Sequence, residues 1–145
     1  MTTQATRDAA GDLIGLAERW FTRGWRGEVA MAPGIFSDHL TTNGVRVGVA
    51  GPVGRIQDRL RGFPDLAVTI EEMFRVGDTV VTRLLWRGTH TGPYGGVQPT
   101  GKPVEIRDMA IWHFADGKVA EIWTLQDQFG LLRQVGYLPD DLYAA

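Results

Sequence analysis

Apolar positions along this chain keep two different periods, and the change from one to the other organises it. From about Thr6 to Gly24, Leu13, Leu16, Ala17, Trp20 and Phe21 recur at helical spacing and form one broad apolar face. Side chains as large as Trp20 and Phe21 on a small helix imply a wide surface beneath it. Residues 31–50, MAPGIFSDHLTTNGVRVGVA, combine a short turn, one strand and several glycines. A second helix is predicted over Gly51–Arg61, where Val53, Ile56 and Leu60 share a face. The run GFPDL ends it, because glycine and proline both stop helices.

Beyond that point the period drops to two. Leu66–Phe74, Thr79–Gly88, Pro103–Phe114 and Val119–Gln126 read as strands, with Gly77-Asp78 and Asp116-Gly117 as hairpin turns. His90–Lys102 is a glycine- and proline-rich connection, and a last short helix is expected over Gln128–Val135, before Gly136 and Pro139. Helices first and neighbouring, mostly antiparallel strands later predict an α+β domain, with helices packed on one face of a curved sheet. A curved sheet closed by helices leaves a cone-shaped cavity suited to a small apolar ligand.

Composition narrows the picture. The 145 residues fit one domain, spanning 1–145, with enough chain for a real core; 43% hydrophobic and 22% charged residues place it among globular rather than disordered chains. A net charge of −2 with scattered basic residues argues against nucleic acid as a partner. The absence of cysteine excludes disulfides, thiolate catalysis, iron–sulfur clusters and cysteine-ligated zinc. The polar start MTTQATRDAAGDL lacks the character of a signal peptide, and no apolar run approaches the roughly 20 residues of a membrane span. A soluble cytoplasmic protein without membrane association is the expectation. Three scattered histidines without ligand spacing predict no metal.

Four motifs, in order GFPDL, RGTHTGPYGGVQPTGK, DGKVAEIW and LLRQVGYLP, resemble the SnoaL-like polyketide cyclases, of the ketosteroid-isomerase-like or nuclear-transport-factor-2-like superfamily. The resemblance covers about residues 10–140. It implies a cone-shaped α+β barrel, a hydrophobic pocket, no metal, usually no cofactor, and commonly a homodimer through the outer sheet face. The superfamily hosts isomerases, aldol cyclases, epoxide-opening enzymes, hydroxylases and non-catalytic binding modules, so the site has to decide the function.

The stretch DMAIWHFADGKVAEIWTLQD carries the candidate chemistry. Alternation puts Asp108, Ala110, Trp112 and Phe114 on one face and Arg107, Met109, Ile111 and His113 on the other. On the next strand Ile122, Thr124 and Gln126 share a face. By the resemblance, Ala110 falls where relatives often place an acid or histidine, and Thr124 where aldol cyclases place the catalytic aspartate. Neither is ionisable here, which weakens the standard enolate-forming reading. Asp108 remains, about 6–7 Å from Ala110 along the strand. An inner-face carboxylate would be desolvated, with its pKa raised, as general acid–base work requires. The competing reading is an ion pair with Arg107, Arg83 or another arginine.

Asp38, in IFSDHL, lies close to where some epoxide-opening relatives place an acid, and with Asp108 makes a two-carboxylate candidate; an exposed turn acid is the plainer alternative. Tyr94, in GPYGG, is a loop tyrosine able to reach over a pocket mouth. Trp20, Phe21, Trp86, Trp112 and Phe114, with Ala110 and Thr124, are the expected substrate-binding wall, though core packing alone would also place such aromatics inside. Asp127 reads as an N-cap, His90 as structural, and His113 as facing away from the pocket.

These residues predict a cofactor-independent enzyme of antibiotic-type secondary metabolism that closes a ring in a hydrophobic polyketide-type substrate. It would act by acid–base catalysis or by shape-templated cycloaddition. The alternatives are an epoxide-opening or isomerase-type enzyme, a polyketide hydroxylase and a non-catalytic ligand-binding module.

Overall fold

The computed structural model describes residues 11–139. The part of the first predicted helix before Gly11 lies outside the described residues. Helix α1 (Leu13–Thr22) begins at Asp12, whose side chain accepts from the Gly15 N–H at 2.9 Å. It buries Leu13, Ala17, Trp20 and Phe21, the face the spacing predicts. Two 3₁₀ turns (Gly24–Arg26 and Val29–Met31) and the single-turn helix α2 (Ala32–Ile35) lead into β1 (Phe36–Thr42). Asn43 and Gly44, with φ of 49° and 81°, turn the chain back into β2 (Val45–Arg46). The stretch 31–50 therefore holds two strands rather than one, and the Asn-Gly pair is the hairpin signal that marks them.

Helix α3 (Ala50–Gly62) is followed by β3 (Ala67–Val76), β4 (Thr79–Thr89), β5 (Pro103–Ala115) and β6 (Lys118–Gln126), and then by α4 (Gln128–Gln134). Asp127 caps α4 through a hydrogen bond accepted from the Gly130 N–H at 2.9 Å. The six strands form one curved, unclosed sheet in the order β2-β1-β6-β5-β4-β3. All neighbours are antiparallel except β1 and β6, which run parallel.

Register positions the site. Asp108 pairs with Gln126, Ala110 with Thr124 and Trp112 with Ile122, so the inward residues of β5 and β6 stand side by side. Along β5, Val104, Ile106, Asp108, Ala110, Trp112 and Phe114 are buried while Glu105, Arg107, Met109 and Ile111 are exposed. The core fills the concave side. Trp20 packs edge-on against Phe36 at 5.0 Å, and Phe63 against Trp86 at 5.4 Å. Truncating a buried aromatic of this kind to alanine costs about 3–5 kcal/mol. The convex side exposes Met109, Ile111, Trp123 and Leu125. Among the described residues no helix is long and apolar enough to cross a membrane.

Candidate active site

The concave face, α1, the first 3₁₀ turn and α3 enclose a cavity of about 120 Å³. Trp20 and Phe21 come from α1, Trp25 from the turn, and Phe36 and Thr42 from β1. Helix α3 contributes Gly51, Pro52, Arg55, Ile56 and Arg59, one stripe at helical spacing. The sheet supplies Leu84, Asp108, Ala110, Trp112, Ile122 and Thr124. Trp112 ties the wall together, tilted against Phe21 at 5.1 Å and Phe36 at 5.5 Å.

Asp108 is the acid in this wall, 4% exposed. Both of its carboxylate oxygens have partners. Oδ2 accepts from Arg59 Nη2 at 3.1 Å, and Oδ1 accepts from the Thr124 hydroxyl at 3.0 Å. The ion pair anticipated as the competing reading is present, but its arginine comes from α3. Arg83 and Arg107 instead meet Glu71 on the other side of the sheet, each at 3.0 Å.

Arg59 is 2% exposed. Its guanidinium lies 4.5 Å from the Trp25 ring centroid and 5.3 Å from that of Trp86, and also donates to Gln126 Oε1. Burial pushes the Arg59 guanidinium below its usual range; the Asp108 charge, followed by Tyr94, opposes that shift. A buried cation needs this set of acceptors and ring faces to hold its place. Thr124 is fixed in turn by Asn43, whose side chain accepts from the Thr124 N–H at 2.9 Å and donates to its carbonyl at 3.2 Å.

Trp20, Phe21, Ala110, Trp112 and Thr124 thus meet Asp108 around one space. Trp86 and Phe114 are buried behind the wall, Trp86 against Phe63 and Arg59 and Phe114 against Trp112, and neither lines the cavity. Tyr94 packs on Phe63 at 5.2 Å and lines a second, outer chamber with Arg55, Asp58, Arg61 and Gln126. Asp38 is exposed and lines neither space, because Phe36–Thr41 is an irregular stretch of β1 where strand alternation breaks. His90 is buried with Nδ1 3.0 Å from the Thr100 hydroxyl; His113 faces Thr79 at 3.0 Å on the outer side. Sequence reasoning missed Arg59, Arg55, Trp25 and Phe36. The stripe Pro52, Arg55, Ile56, Arg59 was the available signal, and it points to a different side of α3 from Val53 and Leu60. Among the described residues no group of three or more His, Asp or Glu gathers as a metal site would require.

An open α+β cone thus surrounds an aromatic cavity with one buried and oriented acid in its wall. Residues 16–135 match the SnoaL-like polyketide cyclase family, and the chain belongs to it. Among solved structures it is similar to AclR from Streptomyces galilaeus, described as a candidate hydroxylase (28% identity, TM-score 0.76, covering 88% of this chain and 97% of that one). It is also similar to IdmH from Streptomyces antibioticus, described as a candidate polyketide cyclase (25%, 0.76, 87% and 99%). TsrD from Streptomyces laurentii shares the fold at TM-score 0.80, with 24% identity and coverage of 91% and 98%. No curated protein matches the sequence.

Proposed function

We propose that the chain is a cyclase that closes a ring in a hydrophobic polyketide-type substrate, with Asp108 as the proton-transferring group. The observation that carries this reading is the position of Asp108: an oriented carboxylate in the wall of an otherwise aromatic and aliphatic cavity. Each carboxylate oxygen has acceptor capacity beyond the one bond from Arg59 or Thr124. A polyketide chain offers acidic methylene carbons between carbonyls. Asp108 takes a proton from one of these, the resulting carbanion attacks a second carbonyl carbon to form the ring bond, and the proton returns to the new alkoxide. This sequence needs no cofactor. The aromatic walls hold the two reacting carbons together, and such positioning contributes several kcal/mol by itself.

Replacing Asp108 with asparagine keeps the shape of the side chain and removes the proton acceptor. D108N is expected to lower kcat for ring closure of a linear poly-β-ketone chain by about 10²–10⁴-fold, with the fold confirmed by circular dichroism. D108E, which keeps the charge beside Arg59 and moves the reactive oxygen, is expected to be impaired as well. Turnover by D108N within a few-fold of wild type would mean that the cavity acts by shape alone.

The likeness to AclR supports hydroxylation as a second reading, which oxygen uptake and gain of an oxygen atom in the product would reveal. A homodimer through the convex sheet face, in an antibiotic-type biosynthetic setting, completes the proposal. Its support is the cross-strand apolar pairs Met109 with Leu125 and Ile111 with Trp123, all exposed.

A further inference from the structure

The inner cavity is small for the substrate class proposed. Its space of about 120 Å³ is close to the roughly 150 Å³ of a cavity that takes one benzene ring, so it holds about one ring of the substrate. A longer chain therefore continues into the outer chamber, about 910 Å³, and the two spaces share Gly51, Arg55 and Thr124. A ligand spanning both passes Arg55.

Five charged side chains stand in the two walls: Arg55, Asp58, Arg59, Arg61 and Asp108. Arg59 pairs with Asp108 at 3.1 Å and Arg61 with Asp58 at 2.7 Å. Asp58 lies three residues after Arg55, within helical reach, yet its carboxylate is taken by Arg61. Arg55 is exposed at the place where the two spaces meet, and among the described residues no acid pairs with it, so its guanidinium is open to a ligand. Its neighbour Gly54 sits inside a helix, where alanine is the better helix former. A Cβ at Gly54 would meet no protein atom within 4 Å, so the space that glycine leaves belongs to the outer chamber rather than to packing.

We propose that Arg55 binds a carboxylate of the substrate, fixing the acid end of the chain at the neck while its apolar part occupies the inner cavity. The inference rests on the reading of that cavity as a polyketide-type substrate site. The substrate is then a free acid and not a neutral ester or thioester, so a hydrolysis that releases the acid from any carrier precedes this step. Guanidinium and carboxylate match as a two-pronged, charge-assisted pair.

The test is NMR titration of the protein with 3-phenylpropionate and with its methyl ester, one ring each and differing in charge. Wild type is expected to bind the acid roughly tenfold more tightly than the ester. In Arg55→Gln that preference disappears, and Arg55→Lys retains part of it. A preference that survives R55Q, equal binding of acid and ester by wild type, or no binding of the acid overturns the proposal. The readout is independent of turnover. An Arg55-dependent preference in a protein that closes no ring would sink only the cyclase reading. Ring closure in neutral ester chains as fast as in free acids would sink only the carboxylate site.

Discussion

Asp108 and Arg59 stand 49 residues apart in the chain and make one buried ion pair. Taking both out of water costs several kcal/mol, which their attraction repays only with good geometry and further partners. The further partners are present: Thr124 on the carboxylate, and Gln126 with the Trp25 and Trp86 rings on the guanidinium. Removing either charge strands the other, so D108N and R59M are each expected to destabilise by about 3–5 kcal/mol. The double variant R59M/D108N should fall short of the sum by about 1–3 kcal/mol. Urea unfolding of all four proteins measures this, and strictly additive losses would contradict the pairing. At this scale the inward face of Asp108 was legible, because β5 alternates cleanly. Arg59 was not, because it neighbours the exposed Asp58 and Arg61 and reads with them as a solvated charged run. Asp38 was placed by resemblance alone, and its exposed position outside both spaces matches the plainer reading of a solvent-facing acid.

Among the elements, the end of α3 and the end of β4 are clamped together. Asp65 of the GFPDL run accepts from the Thr89 N–H and from its hydroxyl, both at 2.7 Å, while the Gly62 carbonyl accepts from the N–H groups of Thr91 and Gly92. A Cβ on Gly92 would collide with the Arg61 carbonyl, so glycine permits the close approach. Two stretches that resemble the family thus hold each other, and through them α3 is seated over the cavity. The backbone and side-chain bonds from Thr89 hold the Asp65 carboxyl below its usual range. A folded pKa below the unfolded value contributes stability above about pH 3.9 that is lost as pH falls through the folded value. Asp65→Asn is therefore expected to lower Tm by a few degrees at pH 7. The difference should close on acidification below about pH 4, and thermal scans of both proteins across pH test it; a gap independent of pH would show that the charge is not what holds the clamp. The strands β3 to β6 and the turns between them were legible within a residue or two. The β1–β2 hairpin was obscured by the flanking glycines, although Asn43-Gly44 marks it.

The whole molecule divides its surface between two apolar regions with different exposure. The concave side is closed by α1 and α3 into the Asp108 cavity, and the convex side leaves Trp123 and Leu125 in solvent. The order of helices and strands made this architecture legible in the sequence. The boundary between cavity wall and core was not, since Trp86 and Trp112 sit on adjacent strands and both are buried. The five tryptophans now separate these regions: Trp20, Trp25 and Trp112 in the cavity wall, Trp86 in the core behind it, and Trp123 outside. The central claim is that ligand enters the space beside Asp108. The most direct test follows the indole N–H resonances, assigned by single Trp→Phe variants, during titration with 3-phenylpropionate. The predicted result is saturable movement of the Trp20, Trp25 and Trp112 signals with Trp123 unchanged. Movement confined to Trp123, with the three wall signals still, would place the ligand on the convex face and contradict the account.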